Sequence, residues 1–169
     1  LPEDYRIEPE IVYRWSDDER KRIPHLVALF PISPKDKRHG KAYFLGGELR
    51  VVPYEDGKKQ GTEKRYHTAY GKEDTLVAEI PWKDDKIHGI KKRYHRANGK
   101  LWMSIPYEKG KREGTAKAFD LPGRLQKVTP YKDDKTHGKA IEYYPAEGRK
   151  KKVIPFDEGK VHGAICEYY

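Results

Sequence analysis

The sequence predicts an all-β protein, an elongated and largely single-layered antiparallel meander of about six hairpin repeats in an open sheet. Three observations predict it. The pattern Pro-aromatic-x-x-x-Lys-x-x-Gly begins at Pro53, Pro81, Pro106, Pro130 and Pro155, at intervals of 28, 25, 24 and 25 residues. Each proline precedes its glycine (Gly61, Gly89, Gly114, Gly138, Gly163) by 8 residues. Finally, 36% hydrophobic and 37% charged residues leave too little apolar mass for a compact core, against about 45–50% and about 25% in globular domains. So hydrophilic a chain suggests disorder, but 13 Tyr, 4 Phe and 3 Trp recurring in register mark half-exposed, ordered strands.

From the N-terminus, residues 1–28 do not match the repeat and read as a cap preceding a repeat domain at 29–169. Within the cap, Glu8 to Trp15 reads as a strand, and Ser16-Asp17-Asp18-Glu19-Arg20 as a helix start or polar loop. The apolar run from Pro24 to Pro31 is far shorter than the roughly 18–20 residues of a membrane span. A degenerate first repeat runs from Pro31 to Gly40, one residue longer inside. The chain begins at Leu1, which suggests that an upstream segment, such as a signal or lipoprotein leader, was removed.

Each repeat then reads as two strands and two turns. After the glycine comes a strand ending in aromatics, at 62–67, 90–95, 115–119, 139–144 and 164–169. A turn follows, clearest at Asn98-Gly99, a dipeptide suited to a type I′ hairpin, with equivalents at Tyr70-Gly71-Lys72, Pro122-Gly123-Arg124 and Glu147-Gly148-Arg149. A second strand climbs to the Pro-aromatic pair, and an acidic turn such as Asp84-Asp85 or Asp133-Asp134 closes the unit. Proline removes a ladder donor, which places it at a strand end.

Alternation puts Ile80 and Trp82 on one face with Pro81 opposed. It also groups Tyr66 and Tyr94 with Lys64 and Lys92, and turns Arg65 and Arg93 the other way. The aromatics are expected to form ladders along one side, with each cross-strand pair contributing about 0.2–1 kcal/mol.

The run Tyr-x-x-x-Asn-Gly-Lys-Leu…Ile-Pro-Tyr…Gly-Lys…His-Gly…Tyr-Tyr, carried best by residues 94–107 and 155–169, resembles the MORN-repeat variant of the YwqK-family antitoxins. The resemblance covers about residues 30–169, and the copies ending at Gly61 and Gly114 lack the histidine. It implies an elongated sheet of hairpins and, in bacteria, a protein that neutralises a cognate toxin. Immunity partners of secreted effectors, including lipases delivered by type VI secretion, are similar. A repeat fold by itself does not fix an activity.

Residue chemistry points away from catalysis. His39, His88, His137 and His162 each precede a repeat glycine, but equivalent positions lie about 9–10 Å apart, two strand spacings, so one zinc ion cannot bridge them. Hydrogen bonding to turns is the expected role. The acidic turns lack the alternating ligands of a calcium loop. Ser16, Ser33 and Ser104 sit in no nucleophile elbow, and Cys166 alone forms no internal disulfide. A single-layer sheet offers little burial with which to tune an acid or base. No enzyme activity, metal or cofactor is expected.

Recognition remains. A formal charge of +9 favours an acidic partner, whereas 27 acidic residues among 36 basic ones argue against nucleic acid. Tyr, Trp and Arg are the residues of protein-binding hot spots. Tyr54, Trp82, Tyr107, Tyr131 and Phe156 are assigned to holding the sheet together. Lys64, Arg65, Tyr66, Lys92, Arg93, Tyr94, Arg96 and Trp102, clustered in neighbouring repeats, form the expected contact patch.

The leading expectation is a non-catalytic antitoxin or immunity protein that blocks the active site of a cognate toxin or effector in the bacterial periplasm. The alternatives are a peripheral module on an anionic membrane surface and a scaffold built through exposed strand edges. The oligomeric state stays open.

Overall fold

A computed structural model describes residues 6–16, 21–35, 37–45, 48–67 and 74–169, and every regular element among them is a β-strand. The chain opens with β1 (Arg6–Ser16), β2 (Lys21–Ile32), β3 (Gly40–Phe44), β4 (Glu48–Glu55), β5 (Lys58–Lys59) and β6 (Gly61–His67). There follow β7 (Thr75–Lys83), β8 (Lys86–Ile87), β9 (Gly89–Tyr94), β10 (Leu101–Glu108), β11 (Lys111–Arg112) and β12 (Gly114–Phe119). The last are β13 (Leu125–Lys132), β14 (Lys135–Thr136), β15 (Gly138–Tyr143), β16 (Lys150–Asp157), β17 (Lys160–Val161) and β18 (Cys166–Glu167). Long strands pair antiparallel with their sequence neighbours in one open meander of hairpins, as the period requires. The expected N-terminal strand is β1, paired along its length with β2. The expected boundary between residues 28 and 29 falls inside β2, which also pairs with β3 through Ala28 and Leu29. Asp17 to Arg20 and the Tyr70-Gly71-Lys72 turn lie outside the described residues.

The proline is not at a strand end. Pro53 and its counterparts lie inside the strand, and their carbonyls accept hydrogen bonds from the backbone N–H just before the repeat glycine: Gln60, His88, Glu113, His137 and His162, at 2.9–3.1 Å. A residue's N–H and C=O point to the same side of a strand, so the donor that proline lacks faces the kink at the glycine, where the ladder is already interrupted. The kink requires glycine: Gly138 has φ 98°, and a Cβ there would lie 3.3 Å from Pro130 Cγ. The fixed spacing of 8 residues is this contact read along the chain.

The type I′ turns are the acidic ones. Lys83 pairs with Lys86 around Asp84 and Asp85 at φ 49° and 62°, and Asp133 and Asp134 repeat the geometry at 49° and 67°. Aspartate tolerates the left-handed region better than most side chains, which explains its place there. At Asn98-Gly99 the expected I′ turn is absent, because only Gly99 has positive φ. The loop is longer, closed by Gly99 N–H on the His95 carbonyl at 2.8 Å. Asn98 instead donates to the Leu121 carbonyl at 2.7 Å, tying its loop to the next.

The sheet has a buried inner face, carrying Ala42, Val52, Tyr54, Ala78, Ile80, Ala116 and Ala140, and an outer face of lysines. Register pairs place Trp82, Ile80, Glu63, Arg65 and Ala78 on the inner face, and Lys64, Glu79 and Lys92 on the outer. The two aromatic columns are therefore on opposite faces, not along one side. Tyr94 shares the outer face with Lys92, since both reach Glu79. Register shifts in β7, β10, β13 and β16 mark β-bulges, and the one in β10 falls at Trp102.

Candidate partner-binding groove

An open groove of about 580 Å³ lies on the inner face, across β6, β7, β9 and the start of β10. Its floor is built from Val77, Ala78 and Ile80. Arg65 and Arg93 both pair with Ala78, one from each neighbouring strand, and their guanidinium groups reach Glu63 and the Trp102 ring respectively. The bulge in β10 turns Trp102 onto this face, as bulges re-aim side chains, and Arg93 Cζ lies 4.6 Å from the indole centroid. At the rim, Arg96 Nη2 donates to Glu48 Oε1 at 2.8 Å. These two residues lie on or next to strands three spacings apart, about 14 Å, so the contact closes the rim through two long, extended side chains.

Beneath the groove lies Glu63, with none of its side chain exposed. One oxygen accepts from Arg65 Nε at 2.7 Å and Arg50 Nε at 3.2 Å, and the other from Trp82 Nε1 at 2.9 Å. Burial pushes its carboxyl pKa up, but the Arg65 hydrogen bond and charge, the Arg50 charge and the Trp82 hydrogen bond outweigh it, holding the group below its ordinary range. A buried carboxylate so satisfied stays ionised and fixes both arginines. Lys91, facing the same floor, is shifted down by desolvation and by the charges of Arg65 and Arg93, which exceed the attraction of Glu63.

The structure brings Arg65, Arg93, Arg96 and Trp102 together as groove lining, and Tyr94 touches the groove edge while its hydroxyl reaches Glu79 on the outer face. Lys64 and Lys92 stand on the outer face, and Tyr66, whose partners are Leu49 and Leu76, is not part of the lining. The expected patch is thus split between two faces, because neighbouring strand residues alternate. Glu48, Glu63 and Lys91 were missed. A signal for two of them was present: the second residue after the repeat glycine is apolar elsewhere, as Ala42, Ala116, Ala140 and Ile165, but Glu63 and Lys91 in adjacent repeats.

Several aromatics expected to hold the sheet are covered by cations from the preceding repeat. Lys59 Nζ lies 4.2 Å from the Trp82 centroid, Arg112 Cζ 4.3 Å from Tyr131 and Arg38 Cζ 5.6 Å from Tyr54. In four repeats the residue before the glycine docks on the next turn: His39 and His88 accept from the Asp56 and Lys109 amides, and Gln60 and Glu113 from those of Asp84 and Asp133. His137, Asp157 and Glu158 bring three possible metal ligands within 4.8 Å of one another. Lys135 Nζ already lies 2.7 Å from Glu158 there, so an ammonium neutralises that acid. Histidine and the acidic turn of the next repeat thus approach more closely than two equivalent histidines do.

The groove thus combines four cations, an apolar floor and the Trp102 indole. No family model matches the chain, and no curated protein matches it.

Proposed function

We propose that this chain is a non-catalytic binding protein of the antitoxin or immunity type, which captures a cognate toxin or effector and blocks its active site. The observation that carries the reading is the groove, where Arg65, Lys91, Arg93 and Arg96 face only Glu48 and Glu63 beside an indole. Trp and Arg in a recess are the anchors of protein interfaces, and the excess positive charge steers an acidic partner into it. In this reading the protein acts in the bacterial periplasm and its target is an effector encoded beside it.

Capture of that effector by the purified chain tests the proposal. Arg93→Glu with Arg96→Glu should weaken capture and make the remainder more salt-sensitive. Outer-face Lys64→Glu should leave capture intact. Equal capture by all three proteins would reject the groove as the contact.

A second reading is favoured by the outer face, where Lys41, Lys64, Lys117 and Lys139 are exposed in successive repeats alongside Ile90 and Tyr43. Such a stripe suits an anionic membrane surface. Sedimentation with acidic vesicles in the absence of any protein partner distinguishes this reading.

A further inference from the structure

Within the groove two cations, Lys91 and Arg93, are left without an acid among the described residues. Glu63 distributes its oxygens among Arg50, Arg65 and Trp82. Glu48 is engaged by Arg96. Lys91 is half-buried and makes no hydrogen bond or ion pair with any described residue, and Arg93 has only the Trp102 ring. An ammonium taken partly out of water beside two guanidinium groups is unfavourable unless an anion compensates it. The equivalent positions 42, 116 and 140 are alanine, so the fold itself asks for no charge here. Ala78, the register partner of both Arg65 and Arg93, is a small residue between them, and a planar oxyanion is the ligand that guanidinium groups hold best, through paired N–H donors.

We propose that Lys91, flanked by Arg65 and Arg93 above Ala78, is a carboxylate-binding subsite that takes one aspartate or glutamate side chain from an acidic loop of the partner. The inference rests on the partner-binding reading above and gives it a chemical address. A monoanionic carboxylate suits the site better than a phosphate dianion, because Glu63 is fixed beneath the same floor and repels the second charge. Once seated, the carboxylate gives Lys91 the counter-ion the chain withholds and adds charge-assisted hydrogen bonds to Arg93.

The test is titration of the full chain with a capped tetra-aspartate peptide, read by NMR at the Trp102 indole N–H. A saturable shift is expected, with affinity about ten-fold weaker or worse in Lys91→Met and unchanged in outer-face Lys139→Met. Lys91→Met folds more readily than the parent if its charge is uncompensated, so loss of binding with a retained spectrum is interpretable. Equal weakening in the two variants reduces the site to a diffuse field and overturns the proposal. Tighter binding of inorganic phosphate, or of vesicles containing phosphatidylglycerol, than of the peptide also overturns it. If the effector is captured equally well by Lys91→Met, the subsite is wrong while the partner-binding reading stands. If the peptide titrates Lys91 but no effector is captured, the failure lies with the broader reading.

Discussion

The Trp82 indole N–H donates to the buried Glu63 carboxylate at 2.9 Å across the β6–β7 ladder. This bond joins the aromatic column to the charges of the groove. The buried inner face elsewhere is apolar, with Ala42, Val52, Tyr54, Ala116 and Ala140, and here it holds an ion network whose members fix one another's rotamers.

Replacing Glu63 with Gln leaves Arg50 and Arg65 facing a neutral amide. Breaking a buried ion pair from one side costs about 3 kcal/mol. Urea unfolding at neutral pH should show a loss of that order. Because the folded Glu63 pKa lies below the ordinary 4.5, its stabilisation is complete above pH 4.5 and is lost as pH falls through the folded value. The gap between parent and Glu63→Gln should therefore narrow in acid, and a constant gap would remove the carboxylate from the account.

Gly138→Ala places a Cβ at φ 98° and 3.3 Å from Pro130 Cγ. The backbone strain alone costs about 1–3 kcal/mol. In a double-mutant cycle, Pro130→Ala should make Gly138→Ala less costly, because it removes the atom that is struck. Strict additivity would show that φ alone sets the requirement.

The Tyr94 phenol is pushed up to about 12 by burial, then by its 2.7 Å hydrogen bond to Glu79 and the charge of that carboxylate. A raised phenol pKa stabilises the fold fully below the ordinary value of 10.0, and the contribution disappears as pH rises through the folded one. Tyrosinate absorbance should contain a component near pH 12 that Tyr94→Phe lacks. Glu79→Gln should lower it only part of the way, since burial is the larger cause.

Lys91→Met should raise the melting temperature by about 2 °C or more, as removal of an uncompensated half-buried charge is worth about 0.5–1 kcal/mol in a chain of this length. Scanning calorimetry at low salt checks it. A lower melting temperature would mean that the ammonium supports the fold.

Much of the architecture was legible in the chain. The 8-residue Pro–Gly spacing encodes a positive φ and a close contact, and these are local. Alternation placed Tyr94 with Lys92 and set Arg93 opposite, as their contacts with Glu79 and Trp102 show. The candidate site was less legible. Trp102 reaches Arg93 through a bulge that simple alternation does not anticipate. Arg96 meets Glu48 across 48 residues and three strand spacings, a contact that no local pattern carries.

The sequence by itself determined the hairpin unit, its period and its pairing partners, because glycine, proline and strand alternation act over a few residues. Which charges meet and which lack a counter-ion is visible only in three dimensions, because bulges and contacts between long side chains join residues of several repeats. Glu63 illustrates the division: its place in the repeat is visible in the chain, but its three donors come from three different strands.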